Sequence, residues 1–297
     1  MEAIKSGEGR VDLVTGLSPL ETLPVAQSRF AAVVKNRESL ASVFGLFNMR
    51  KAGSPWQDVR VRRAANLAVS RNDVIRYAAK GNGVVVPALI ARQGFGFDPK
   101  LAPYPFDPGL ARKLLGEAGH PDGLPVILIA PEALQVQATV VGKMLEQSGF
   151  KVTLEVLEAA VYSRQIDLSH LDRPAEQQPW DIALVQGADS DNFPVFSYYH
   201  YYAVDGTIVW LTEPAELRRL YNEVLRTVSP DRQRELVQQM ERHTSDQAYF
   251  LFLYNPIGLA AVNRTVEFVP HANGTLVLAE TSVTDRHWSL RPGTGTR

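Results

Sequence analysis

The fold is decided by Val126-Ile-Leu-Ile-Ala130, the run from Glu132 to Ser148, and Val152-Thr-Leu-Glu-Val-Leu157. The first run is short and wholly apolar, the second has helical character and stops at Gly149, and the third alternates with period two. Strand, helix and strand in that order predict a βαβ unit. Its parallel strands need cover on both faces, which neighbouring helices supply.

Working outward, punctuation places those helices. Asp107-Pro108 supplies an N-cap acceptor and a first-turn proline ahead of a helix that ends at Gly119, with Leu110, Leu114, Leu115 and Ala118 on one face. Ser70-Arg-Asn-Asp73 reads as a capping box separating a helix over about Val59 to Val69 from another that ends at Gly81. Thr212-Glu-Pro214 and Ser229-Pro230 open two more, each with a capping hydroxyl and an early proline. Ile182-Ala-Leu-Val185 reads as a buried strand following an exposed polar loop over Asp167 to Gln178. Phe250 to Val262 is too short to span a bilayer, is broken by Asn255 and Pro256, and reads as one buried strand. Asn273-Gly274, between Val266 to Val269 and Thr275 to Leu278, signals a hairpin, and Arg291 to Arg297 reads as a frayed tail.

The composition is that of a globular chain: 297 residues, 45% apolar and 21% charged. Thirty-one Lys and Arg against 32 Asp and Glu leave a net charge of −1, so no basic surplus favours nucleic acid or an anionic membrane. The absence of cysteine excludes disulfides, thiolate metal sites, a cysteine nucleophile and a lipoprotein anchor. Near the start, Glu2, Lys5, Glu8, Arg10 and Asp12 interrupt any apolar run of signal-peptide length, so no leader is expected in this chain.

Catalytic signatures are missing. There is no G-x-S-x-G elbow, no H-E-x-x-H, no phosphate-binding loop around Gly142-Lys143, and the six histidines are dispersed. No catalytic residue, metal ligand or cofactor is therefore assigned. What remains is a binding feature: Asp189, Asp191, Asn192 and Phe193, leaving a buried strand, followed by an aromatic cluster that includes Tyr201. Loops at the carboxyl ends of strands are where α/β sheets meet ligands. A carboxylate there can hold an ammonium or guanidinium group while aromatic rings pack on apolar parts of the solute. The same residues also read as a turn, a cap and half-buried packing.

A set of ordered motifs then resembles the family 5 extracellular solute-binding proteins, the dipeptide, oligopeptide and nickel receptors of ABC importers. They are Pro55-Trp-Gln-Asp58-Val-Arg60-Val-Arg-Arg-Ala64-Ala-Asn66-Leu-Ala68-Val-Ser-Arg71, Gly96-Phe-Asp98-Pro99, and Tyr104-Pro-Phe-Asp107-Pro108 through Gly119-His-Pro-Asp122-Gly123. Trp180-Asp181-Ile-Ala, Asp189-Ser-Asp191-Asn192-Phe193 and the opening Ala3-Ile-Lys-Ser6-Gly7-Glu8 complete the series.

The resemblance implies an α/β protein, the C-terminal lobe of a two-lobed periplasmic-binding-protein-like (type II) fold, with a mixed sheet flanked by helices. Family members carry a leader and most of a first lobe ahead of the Ala3 motif, so the expected division is residues 1–20 as remnant of the first lobe and hinge, 21–255 as the second lobe, and 256–297 as a return segment with a flexible tail. The implied function is non-enzymatic: the substrate-binding component of an ABC transporter for peptides or similar small polar solutes, a monomer partnered by the membrane permease and by no nucleic acid. Its location is extracytoplasmic by resemblance, or cytoplasmic if the chain is complete without a leader. A ligand-sensing module of a cytoplasmic transcriptional regulator and a non-binding remnant are the competing readings. In the family, a Gly-Trp pair and further residues precede the acidic loop, among them an acidic residue that meets a peptide's amino terminus. Here Gly187-Ala188 runs directly into Asp189, so that residue is not carried over.

Overall fold

A computed structural model describes residue 4, residues 11–212 and residues 214–290. The tail at 291–297 and, apart from Ile4, the Ala3 to Glu8 motif lie outside the described residues. In chain order the strands are β1 (Leu13–Thr15), β2 (Ala31–Asn36), β3 (Ala41–Phe47), β4 (Gly83–Val84), β5 (Leu124–Pro131), β6 (Phe150–Leu157), β7 (Ile182–Ala188), β8 (Phe250–Pro256), β9 (Gly258–Asn263), β10 (Val266–Glu267) and β11 (Ser282–Val283). The helices are α1 (Thr22–Ala26), α2 (Val59–Leu67), α3 (Arg71–Tyr77), α4 (Pro108–Glu117), α5 (Gln135–Gln147), α6 (Ala159–Ile166), α7 (Ala215–Arg226) and α8 (Pro230–Asp246). None is long and apolar enough to cross a membrane among the described residues.

The βαβ unit forms as its sequence pattern requires. β5 pairs in parallel with β6 from Leu124↔Phe150 to Pro131↔Leu157, and with β7 at Leu128↔Ile182 and Ile129↔Ala183. β3 lies between β7 and β8 and is antiparallel to both. The main sheet therefore has the order β4-β8-β3-β7-β5-β6 and is mixed, with β5, β6, β7 and β8 running one way. The expected caps form at Asp107, whose Oδ1 accepts from Leu110 N at 2.8 Å, and at Ser70 and Ser229, whose hydroxyls accept from Asp73 N at 3.3 Å and Arg232 N at 3.4 Å. The capping box at Ser70 is only half made, since the Asp73 carboxylate returns no bond to Ser70 N among the described residues. The start of α7 departs from expectation. Pro214 occupies the cap position without a side-chain bond, so the Thr212 hydroxyl does not cap this helix.

Two further expectations are corrected. Phe250 to Val262 is not one strand but two, β8 in the main sheet and β9 in a second sheet of order β1-β9-β2. Pro256 lacks an N–H for the ladder, and Ile257 N turns aside to donate to Asn82 O at 3.2 Å, so the chain leaves one sheet for the other. Asn273-Gly274 does turn, with Gly274 at φ +78°, but Thr275 to Leu278 forms no strand. The partner of β10 is β11. Asn273 is committed elsewhere, its Nδ2 donating to Ser190 O at 2.9 Å and its Oδ1 accepting from Thr275 N at 3.1 Å.

The second sheet has its own core, with Leu17, Val25, Ala31, Leu259 and Ala261 buried together. β2 lies beyond residue 20, where the first lobe was expected to end, yet pairs along its whole length with β9. The chain crosses between the two cores at residues 37–40 and at Ile257. Lys35 Nζ adds a bond to Asn82 Oδ1 at 2.8 Å across the junction.

The resemblance motifs have structural work in this fold. Asp181 accepts from Ile127 N through Oδ2 at 2.8 Å and pairs with Lys51 at 3.0 Å, locking β5 beside β7. Arg60 chelates Asp58, and Arg71, buried, donates to the Asn66, Val69 and Tyr104 carbonyls. Burial pulls Arg71 down to about 10, which still leaves it charged at neutral pH. Glu241 on α8 is also buried. It accepts from Leu89 N, Ile90 N and the Tyr199 hydroxyl, and burial pushes it up to about 7.

Candidate functional site

A cavity of 500 Å³ opens where the carboxyl ends of β5, β7 and β8 meet the second sheet. Gln137 from α5, Gln186 from β7 and Tyr254 from β8 line one side, and Leu17, Ser18 and Leu259 line the other. Its base is formed by the crossovers, at Ser39 and at Pro256 to Gly258. The location follows from topology: strand ends running one way release their loops into a common space, bounded here by a second body joined through two crossings.

The chemistry of this lining is mostly neutral. Gln137 is buried, and its Nε2 donates to the Tyr254 hydroxyl at 3.1 Å. Burial raises the Tyr254 pKa, so the phenol remains protonated and keeps its own O–H as a donor. Gln135 and Gln186 are exposed and form no side-chain hydrogen bond among the described residues. Glu132, exposed at the rim, is the acidic contribution, and no Lys, Arg or His lines the cavity among the described residues. Amides offer both donors and acceptors, so the surface suits a polar solute with peptide-like groups.

The five residues singled out in the sequence are placed differently. Asp189 follows β7 directly, but it is 2% exposed and points inward. Its Oδ1 accepts from Phe193 N at 2.9 Å and from the Ser197 hydroxyl at 2.8 Å, and burial raises its pKa. It holds the loop to the start of a π-helical segment, Val195–Val204. Asn192 takes left-handed backbone at φ +50° and accepts from Phe95 N at 3.4 Å, while Phe193 packs on Phe95 at 6.1 Å between ring centroids. Asp191 is exposed at the loop tip.

Tyr201 sits on the π-helical segment, 43% exposed, against Phe196 and His200. Asp189, Asn192 and Phe193 thus belong to one loop, Tyr201 belongs to a separate aromatic group, and none of the five lines the 500 Å³ cavity. The strand runs three residues past Val185, which leaves Gln186 as the exposed polar side chain near its carboxyl end. That position was the available signal. Gln137 and Tyr254 could not be associated with it without knowing which strands are neighbours. Among the described residues, no group of three or more His, Asp or Glu side chains is arranged to hold a metal ion.

Comparison with known proteins bears on this geometry. Residues 2–207 match the family model described as bacterial extracellular solute-binding proteins, family 5 Middle. The glutathione-binding protein GsiB of Salmonella choleraesuis is 29% identical over 160 residues, covering 49% of this chain and 29% of its own length. The chain therefore spans under a third of that curated relative. Among solved structures, the periplasmic binding protein DppA of Helicobacter pylori, in complex with the peptide STSA, superposes with TM-score 0.76 at 19% identity, over 90% of this chain and 51% of DppA. NikA of Staphylococcus aureus, in complex with Ni(L-His)2, superposes with TM-score 0.78 at 15% identity, over 95% of this chain and 59% of NikA. At such identities the superpositions establish a common fold, that of one part of these larger binding proteins.

Proposed function

Since the chain belongs to the bacterial extracellular solute-binding proteins of family 5, we propose that it binds a peptide or similar small polar solute for an ABC importer, outside the cytoplasm and without chemical change to the solute. The observation that carries this reading is the 500 Å³ cavity between two bodies joined by two crossings, lined by Gln137, Gln186 and Tyr254. Non-covalent capture needs what this lining offers: fixed donors and acceptors on one body and a second body that closes by hinge motion. We assign β1, β2 and β9 to the side facing the main lobe, which moves the boundary from residue 20 to the crossover after Asn36. The loop from Asp189 to Phe193 stands outside this lining, with Asp189 acting as its internal anchor through Phe193 N and the Ser197 hydroxyl.

Thermal unfolding of the protein with a panel of di- to tetrapeptides, glutathione and nickel complexes tests this reading. A true ligand at a hundredfold excess over its Kd raises stability by about 2.7 kcal/mol. Gln137→Leu and Gln186→Ala should each weaken that ligand by about tenfold, the loss of one or two hydrogen bonds. Failure of every panel member to stabilise folded protein, or binding indifferent to both substitutions, overturns the assignment.

A further inference from the structure

Behind the crossovers lies a second cavity, of 290 Å³, which shares Ser39, Pro256 and Ile257 with the first. Successive β8 residues alternate between the two: Tyr254 lines the first and Asn255 the second, as side chains of a strand must. This second space gathers charged side chains of both signs that have no partner of their own among the described residues. Arg37 on the first crossover and Arg92 on the segment after β4 both line it, as does Glu38, and none of the three makes a side-chain hydrogen bond or ion pair with a described residue. At its floor, Asn255 is 5% exposed. Its Nδ2 donates to Ala41 O and to the Ser42 hydroxyl, both at 2.9 Å, which fixes the amide orientation and leaves Oδ1 sealed from solvent without a donor. Val84 and Ile257 add an apolar wall.

We infer that this cavity is a second binding site, distinct from the cleft, for a small zwitterion of the α-amino-acid type. Two guanidinium groups from opposite sides of the junction converge on the carboxylate, where each can donate a pair of parallel bonds. Glu38 takes the ammonium. The Asn255 oxygen gains a donor once a slight shift of the β8 crossover opens it to the cavity, removing the standing cost of a buried acceptor without a partner. The apolar wall admits a short aliphatic side chain. Because Arg37 rides on a crossover and Arg92 on the main lobe, occupancy ties the two together at the hinge.

Titration calorimetry of the whole chain with L-alanine and L-valine, against propionate and ethylamine as half-ligands, provides the test. The amino acids should bind about tenfold or more tighter than either half-ligand. Arg37→Gln and Arg92→Gln, both at exposed positions, should weaken them about tenfold or more with melting curves unchanged, and Glu38→Gln should weaken the amino acids but not propionate. A Gln186→Trp variant, which crowds the cleft, should leave this binding in place. Equal binding of propionate and alanine, indifference to Arg92→Gln, absence of binding at millimolar concentration, or loss of binding in Gln186→Trp would each overturn the second site.

Discussion

β8 of the main sheet buries every residue from Phe250 to Asn255, whereas β2 of the second sheet buries Ala31 alone, although both are strands of similar length. The main sheet is packed by helices around a core that includes Trp56, Trp180 and Trp210. The second sheet rests on the short α1, with Leu20 and Leu23 more than half exposed nearby. The contrast teaches that the two bodies differ in how much apolar area anchors them. The main lobe has a core sufficient for cooperative folding, while the second sheet opens at lower cost.

The sharpest way to break this comparison is a pair of core truncations. Phe250 packs on Phe44 at 5.4 Å and on Phe252 at 6.3 Å, so Phe250→Ala should cost about 3–5 kcal/mol in denaturant unfolding. Leu259→Ala should cost about 2 kcal/mol, and hydrogen exchange should show the loss confined to β1, β2 and β9. Equal loss of protection across β5 to β7 in both variants would mean that the two sheets form one cooperative unit.

A pH dependence should mark the main lobe alone. Glu241 has a folded pKa of about 7, above its ordinary value of 4.5, so between those two pH values the native state holds a proton that the unfolded chain has released. Its contribution is therefore fully present below pH 4.5, falls as pH rises to about 7, and is constant above, with a total change on the order of 3 kcal/mol. Glu241→Gln should flatten that slope in pH-resolved denaturant melts. Exchange protection in β9 should follow neither the pH change nor the variant, and a parallel change there would contradict the separation.

The smallest effect is expected at the junction. Lys35→Met removes the bond to Asn82 Oδ1 and should lower stability by under about 1 kcal/mol, seen as faster exchange in β2 with the main lobe unaffected. Unchanged exchange in β2 would show that the covalent crossovers alone hold the second sheet in place.

Much of the main lobe was legible from local sequence. The apolar run at Val126, the alternating run at Val152 and the glycine between them specified β5, α5 and β6, because periodicity and caps act within a few residues. Asp107, Ser70 and Ser229 cap as their positions imply. The division of Phe250 to Val262 was not legible, because an apolar strand carries no mark of the sheet it joins. The inward turn of Asp189 was equally hidden: its partners, Phe193 N and the Ser197 hydroxyl, depend on a π-helical segment that no local pattern announces.

The sequence by itself determined the α/β class, the parallel unit, the helix boundaries that capping defines, and a family resemblance resting on residues such as Asp58, Arg71 and Asp181. Each of these reflects short-range bonding or a motif read in order along the chain. Only the tertiary structure decided the site. Gln137, Gln186 and Tyr254 come from three separate elements and share a cavity because β7 lies between β5 and β3, and β3 in turn beside β8. That ordering is set by burying apolar strands against one another across long stretches of chain, a choice made by packing and invisible to local pattern.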